Sequence, residues 1–265
     1  MIIKKKRQKT ICYIKLIIMA FFAIFFLLSF SEHSDKIKKI SKYFSVILSN
    51  INLKNENKIN LWKKYELNPV LGNDKIGTIF DPYVMFDYKG FYRMYVSWRK
   101  NGNIAVSLSR NGFKWSNLHI VLDKGNSNWE NIINRASIIY RNGFYHMWYT
   151  GQKNGKSKIG YAKSKDGYKF KKLKNPVLIP EYSFEKQSVM NPHVIFDQKE
   201  KKYKMWYAAG EYIEPDVIGY ATSLDGINWK KYKNNPIFTA SRNILSLDSF
   251  KVGGSMCTKY QIINI

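Results

Sequence analysis

One pattern of strands and turns occurs three times in this chain. The copies read "DPYVMFDYKGFYRMYVSW", "NRASIIYRNGFYHMWYTG" and "NPHVIFDQKEKKYKMWYAAG", and aligning them on Tyr92, Tyr145 and Tyr203 gives periods of 53 and 58 residues. Such periods are long for a helical solenoid and suit a four-stranded propeller blade. The repeat therefore predicts an all-β protein, with an ordinary β-sandwich of similar strands as the alternative.

Each copy predicts four strands. The first is a short apolar segment at 83–86, 137–140 or 193–196, and the second alternates as in "FYHMWYTG". The third ends at an Asn-Gly or Asp-Gly pair, whose glycine supplies the positive φ of a tight hairpin. The fourth is the short "FKWS", "YKFKK" or "INWKKY".

The ends of the repeat region predict an incomplete ring. "LWKKYELNPVL" at 61–71 is similar to "NWKKYKNNPIF" at 228–238, and an outermost strand placed before the first blade is how propellers close. After Phe238 the chain offers at most one strand of a fourth unit. We expect a five-bladed-type β-propeller that is incomplete, with about three four-stranded blades and an amino-terminal closing strand, in a truncated or frameshifted product.

The amino end predicts a membrane-directed segment. "KKKRQK" at 4–9 precedes the uncharged run Leu16–Phe30, which is typical of a signal anchor or a signal peptide with a hydrophobic helix. Basic residues before the run would hold the first residues in the cytoplasm. The expected organisation is an anchor or signal at 1–30, a polar tether at 31–55 and the partial propeller at 56–265. The propeller would lie outside the cytoplasm, anchored in the inner membrane or secreted.

The composition indicates which kinds of partner and cofactor to expect. An apolar fraction of 45% suffices for a sizeable core, and the net charge of +25 is spread over turns and strand faces, which favours a solvated basic surface over nucleic acid. Cys12 and Cys257 form no disulfide framework, and no zinc spacing or phosphate-binding glycine loop occurs. We expect no cofactor, no metal, no nucleic-acid partner and a monomer.

With the copies in register, the region from about Leu61 to Phe250 resembles the five-bladed propellers of the glycoside hydrolase superfamily that includes arabinanases, β-xylosidases, invertases and levanases. "MWYTG…KIGYAKSKDG" and "MWYAAG…VIGYATSLDG" are most similar to an uncharacterised bacterial branch. These motifs are core strands and turns, so they indicate the fold well and the substrate poorly. The resemblance implies an active site on the face where the first strands begin, with the Asp-Gly hairpins on the opposite face.

The resemblance also implies three carboxylates, one at the start of the inner strand in each of three blades. Asp81 matches the first, as base or nucleophile, or else as a turn-capping aspartate. Its counterparts by register, Asn134 and Asn191, cannot move a proton as glycoside cleavage requires. Glu130 and Glu185 precede them in the approach to the pocket, and Glu185 is the predicted general acid; a solvated loop position is the alternative for both.

Asn134 and Asn191 are predicted to bind substrate, and so are five further residues. Arg135 needs an anionic partner, either Asp81 or an acidic sugar. His193 would contact sugar hydroxyls or serve as a core histidine. Glu211 and Asp216, with Glu214 between them, would bind hydroxyls or pair with lysines, and Trp98 would stack on a sugar ring.

Three hypotheses for function follow. The first is an enzyme that cleaves a glycosidic bond of an envelope or extracellular polysaccharide. The second is a non-catalytic glycan-binding module, which the two asparagines favour. The third is an inactive remnant of such an enzyme, which the missing blades favour.

Overall fold

The computed structural model describes residues 63–125, 127–212, 215–240 and Gly253. The chain divides into the units Met1–Lys64 and Tyr65–Ile265, and nearly all described residues belong to the second. The predicted amino-terminal anchor, its helix and the tether lie outside these residues and stay predictions. Within the described ranges, no helix is long and apolar enough to cross a membrane.

The described residues confirm the all-β prediction. Apart from one turn of 3-10 helix at Ser183–Glu185, their regular structure consists of strands. The strands are β1 (Ile79–Phe86), β2 (Tyr92–Trp98), β3 (Asn103–Ser109), β4 (His119–Leu122), β5 (Ile132–Arg141), β6 (Phe144–Lys153), β7 (Lys156–Ser164), β8 (Lys171–Lys172), β9 (Ser188–Asp197), β10 (Lys202–Gly210), β11 (Pro215–Ser223), β12 (Lys230–Lys231) and β13 (Phe238–Thr239).

Three antiparallel units follow one another along the chain. Repeat 1 is the sheet β1-β2-β3-β4, repeat 2 is β5-β6-β7-β8 and repeat 3 is β9-β10-β11-β12. Repeats 2 and 3 are linked by one parallel pair between β7 and β9, Ser157 with Ser188. Consecutive antiparallel strands joined by short turns are the pattern that the sequence periods predict.

The first strands of repeats 1 and 2 carry the same irregularity. A bulge shifts the register between Phe80 and Tyr83 in β1 and between Asn134 and Ser137 in β5. A bulge places an extra residue opposite its partner strand and redirects the side chains there.

The core lies mainly between neighbouring repeats. Tyr95 and Trp148 occupy the same position on β2 and β6, are almost fully buried, and donate hydrogen bonds to the Gly167 carbonyl (3.1 Å) and the Gly226 carbonyl (2.7 Å) of the following repeat. Both glycines have positive φ, and a Cβ atom at either one would approach the aromatic side chain within 3.0 Å. The Asp-Gly hairpins therefore form part of the packing between repeats.

The structure corrects two strand predictions. The fourth strand of repeat 1 is not "FKWS" at 113–116 but β4, because Asn111 Oδ1 accepts the Phe113 and Lys114 N–H groups and holds that segment in a turn. The described part of the predicted closing strand, 63–71, contains no strand. An outer strand forms only where it can pair with the edge of a sheet. Among the described residues, no strand pairs with this segment.

Candidate functional site

Three side chains meet where the first strands begin. Arg135 Nε donates to Asp81 Oδ2 at 2.8 Å, and Arg135 Nη1 donates to Asn191 Oδ1 at 3.0 Å. All three residues have positive φ, at 50° for Asp81, 55° for Arg135 and 54° for Asn191. We call Asp81, Arg135 and Asn191 the bulge cluster; it joins one residue from each repeat.

Hydroxyl groups of the preceding repeat hold two of these bulges in place. The Arg135 N–H donates to Ser97 Oγ at 2.8 Å, and the Asn191 N–H donates to Thr150 Oγ1 at 2.9 Å. Ser97 and Thr150 are buried and occupy the same position on β2 and β6. The cluster is therefore positioned by packed strands, which hold side chains more rigidly than loops do.

The counterpart of Asp81 in repeat 2 is Arg135, one residue beyond the predicted Asn134. Tyr83 pairs with Tyr95 and Ser137 with Trp148, so Arg135 and Asp81 both lie two residues before matching positions. The turn after the first strand is one residue shorter in repeat 2, which the alignment on tyrosines did not allow for. Asn134 is buried instead and donates from Nδ2 to Gln152 Oε1 at 2.8 Å.

The bulge cluster remains accessible. The side chains of Arg135 and Asp81 are 31% and 37% exposed, so a ligand can reach both partners of the ion pair. Of the two anionic partners that the sequence allowed for Arg135, the structure shows Asp81. A guanidinium with further donors beside a carboxylate and an amide can bind sugar hydroxyls or an anion.

Glu185 lies in a different environment. Its side chain is fully buried, Oε2 lies 2.7 Å from Lys231 Nζ and accepts the Glu181 and Tyr182 N–H groups, and Oε1 accepts the Tyr207 hydroxyl at 2.7 Å. Burial, followed by the charge of Glu185, raises the pKa of Tyr207. With both oxygens occupied by protein donors, this environment favours a structural role over the predicted role of general acid.

The same arrangement occurs in repeat 2. Glu130 is buried, with Oε1 2.6 Å from Lys172 Nζ, and burial followed by the Glu130 charge raises the pKa of Tyr149. Tyr149 and Tyr207 hold equivalent positions, as do Lys172 and Lys231. We call Glu130–Tyr149–Lys172 and Glu185–Tyr207–Lys231 the buried triads. The sequence interpretation missed their lysines, although both stand in the predicted fourth strands.

Two of the remaining predicted residues form an ion-pair group at the same end of repeat 3. Lys186 Nζ lies 2.9 Å from Glu211 Oε1 and 3.2 Å from Asp216 Oδ2, and these hydrogen bonds raise the pKa of Lys186. Asp216 Oδ1 is buried without a hydrogen-bond partner in the described part of the chain. Glu214 lies outside the described residues. The lysine-paired loop that the sequence allowed as an alternative is therefore present.

Trp98 and His193 have other neighbours. The Trp98 indole N–H donates to the Ile76 carbonyl at 2.8 Å, which fixes the ring against the preceding turn. The His193 ring centroid lies 6.4 Å from that of Trp206. Their predicted contacts with sugar stay predictions. Among the described residues, no group of three His, Cys, Asp or Glu side chains is placed to hold a metal ion.

A comparison with protein families matches residues 105–245 to the "Glycosyl hydrolases family 32 N-terminal domain". The match covers more than half of the chain. The chain belongs to this family. The predicted resemblance of this chain to the glycoside hydrolase propellers is thereby confirmed.

One curated relative and several solved structures are similar. A 1,2-beta-oligomannan phosphorylase of Thermoanaerobacter sp. (strain X514) is 32% identical over 124 residues, which cover 42% of this chain and 41% of the relative. A solved structure titled "Glycoside hydrolase" matches with a TM-score of 0.54 and 20% identity, covering 64% of this chain and 60% of that one.

The fold also extends to a family 117 glycoside hydrolase of Zobellia galactanivorans. That match has a TM-score of 0.53 and 14% identity, and it covers 67% of this chain and 60% of the other. The chain thus spans 41% of the curated relative and 60% of each of these two solved structures. At such identities the structures show a shared propeller-like fold.

Proposed function

We propose that this chain is a carbohydrate-active propeller that binds a glycan at the bulge cluster and cleaves a glycosidic bond there. In this proposal the described repeats are three blades of a five-bladed-type ring, and the bulge cluster lies at its axis. The propeller would face an envelope or extracellular polysaccharide, held by the amino-terminal apolar segment or secreted after its removal.

One observation carries the proposal. Three repeats share a residue of positive φ near the start of the first strand, yet they place three different polar side chains there, and these meet in an accessible hydrogen-bonded cluster. Asp81 alone brings a carboxylate. It lies 2.8 Å from Arg135 Nε, and a carboxylate at this place could accept a proton or attack an anomeric carbon.

In hydrolysis, Asp81 would take a proton from water while the water oxygen bonds to the anomeric carbon. The bond to the leaving sugar oxygen breaks, and that oxygen needs a proton from a second group. Within the described residues, the bulge cluster has no second carboxylate. Glu211 and Asp216 lie at the same end of repeat 3 and are paired with Lys186.

A second candidate reaction is transfer of the sugar to inorganic phosphate, and the single carboxylate beside Arg135 favours it. Phosphate bound by Arg135 would attack the anomeric carbon while Asp81 protonates the leaving oxygen, giving a sugar 1-phosphate and a shortened glycan. This step requires Asp81 to carry a proton before the glycosidic bond breaks. The activity named for the curated relative is of this type.

The test uses the full-length chain with aryl glycosides and oligosaccharides, including β-1,2-linked mannosides, with and without inorganic phosphate. We expect products from the natural protein and a loss of turnover by about a hundredfold or more in Asp81→Asn. Asp74→Asn, an exposed carboxylate outside the cluster, is the matched control and should retain activity.

Product analysis separates the candidates. Free reducing sugar without phosphate supports hydrolysis, and sugar 1-phosphate formed only with phosphate supports transfer. Saturable glycan binding without turnover, abolished by Asp81→Asn, would leave a binding module and reject catalysis. Full activity in Asp81→Asn would reject the site.

A further inference from the structure

A second polar site lies at the other end of repeat 2. It is an open cavity of about 360 Å³, formed by the start of β6, the end of β7, the hairpin after it and β8. β5 leads from Arg135 to Arg141 beside this end, which places the cavity roughly 20 Å from the bulge cluster at about 3.3 Å per residue. The lining residues are Phe144, Lys163, Ser164, Lys165, Asp166, Lys169 and Lys171.

The cavity concentrates positive charge. Its four lysines are exposed, and none of them has an ion pair with another described residue. Its one carboxylate, Asp166, is occupied, because Oδ1 accepts the Ser164 hydroxyl and the Tyr168 and Lys169 N–H groups. Four lysines and one aspartate leave three net positive charges, and their mutual repulsion falls when an anion binds.

Phe144 organises these charges. Lys163 Nζ lies 3.7 Å from the centre of the Phe144 ring, and Lys165 Nζ lies 6.0 Å from it. A cation over an aromatic face is held in place by the ring quadrupole. Lys163 thus occupies one face of the ring, and single-stranded nucleic acids commonly bind by stacking a base on such a face.

The fold does not require these lysines. Repeat 3 has the same strands and the same hairpin, yet its corresponding positions carry Thr222, Leu224, Asn228 and Lys230. One basic residue therefore suffices at these positions for the same backbone. The group in repeat 2 is a local addition.

We propose that this lysine cavity binds an anionic polysaccharide, a sugar chain that carries sulfate, phosphate or carboxylate groups. Lysine ammonium groups bind such anions as point charges without fixing one geometry, which suits a flexible polymer lying across an open cavity. The site is separate from the bulge cluster, and its binding does not depend on turnover there.

The test measures binding of the full-length chain to fluorescent dextran sulfate by anisotropy, with uncharged dextran and duplex DNA as comparison polymers. We expect binding to dextran sulfate that weakens as salt rises, because salt screens exposed charges, and no binding to dextran. Lys165→Glu/Lys169→Glu should weaken the affinity by about tenfold or more. Lys199→Glu/Lys233→Glu makes the same charge change at exposed lysines elsewhere and should change it by about twofold at most.

Three outcomes would overturn the proposal. Equal losses in the two double variants would assign binding to net charge alone. Tighter binding of DNA than of dextran sulfate would assign the cavity to nucleic acid, and no binding by the natural protein would remove the site. If the charge reversals lower the melting temperature, Lys165→Ala/Lys169→Ala replaces them and should still weaken binding severalfold.

Discussion

The bulge cluster and the buried triads differ in what the repeats have in common at each place. In the bulge cluster each repeat contributes one residue of positive φ, and the side chains differ: Asp81, Arg135 and Asn191. In the triads the side chains themselves recur. A glutamate, a tyrosine and a lysine recur in repeats 2 and 3, and in both repeats the buried glutamate is ion-paired with the lysine.

The difference separates folding from function in this molecule. A buried carboxylate must be paired wherever it occurs, so a stable solution can recur unchanged from repeat to repeat. A site that binds one asymmetric ligand needs different groups on each side. Variation on a repeated, accessible bulge therefore indicates a binding site, and recurrence in the interior indicates support.

The largest expected effect is on stability, from Glu185→Gln. This change leaves Lys231, whose side chain is 3% exposed, buried without its main anionic partner, and such a loss costs about 3–5 kcal/mol in free energy of unfolding. Glu130→Gln is the matched variant in repeat 2. Its lysine, Lys172, is 21% exposed, so the loss should be about 1–3 kcal/mol. Urea denaturation of the full-length chain measures both.

The same variant, Glu185→Gln, also tests whether Glu185 is a general acid. If Glu185 is the general acid that the sequence predicted, Glu185→Gln abolishes turnover and leaves the free energy of unfolding unchanged. That result would assign Glu185 a catalytic role and would remove the difference in role between the buried triads and the bulge cluster.

A smaller effect is expected where the two triads differ. Tyr207 donates to Glu185 Oε1 at 2.7 Å, whereas the Tyr149 hydroxyl has no hydrogen-bond partner among the described residues. Tyr207→Phe leaves a buried carboxylate oxygen without its donor and should cost about 1–3 kcal/mol. Tyr149→Phe should cost less than about 1 kcal/mol. Equal losses in thermal unfolding would show that the triads are equivalent.

The repeat itself could be predicted from sequence because aromatic alternation and Asp-Gly turns recur at visible spacing. The first strands and their common end followed from it, and so did Asp81 and Asn191. Arg135 was assigned the wrong register because hairpin length differs between repeats, and counting residues from an aligned tyrosine carries that difference into every upstream position.

Burial explains most of the remaining differences. The sequence shows a glutamate six residues before Asn191, but it does not show whether that side chain faces a pocket or Lys231. Only the fold shows that Glu185 is fully buried, with Lys231 brought beside it from 46 positions along the chain. The four lysines of the cavity lie within residues 163–171, but only the fold shows that they line one cavity together with Phe144.

The smallest effect concerns a third recurring feature, the hairpin side chain that caps its own turn. Burial alone would raise the pKa of Asp166, but hydrogen bonds from the Lys169 and Tyr168 N–H groups and from the Ser164 hydroxyl outweigh it and lower the pKa to about 2. In repeat 1 the same position is Asn111, which accepts equivalent N–H groups without a charge. Asn111 therefore shows that an uncharged amide can cap this hairpin.

Asp166→Asn should change the free energy of unfolding at pH 7 by less than about 1 kcal/mol, because an amide oxygen can accept the same bonds. The pKa is lower in the folded state than the ordinary 3.8, so the charged form adds stability above that pH. This contribution is lost as the pH falls towards about 2. Stability measured between pH 5 and pH 2 should therefore fall less in Asp166→Asn than in the natural protein. Parallel curves would show that the hairpin charge, unlike the buried triads, contributes nothing to the folded state.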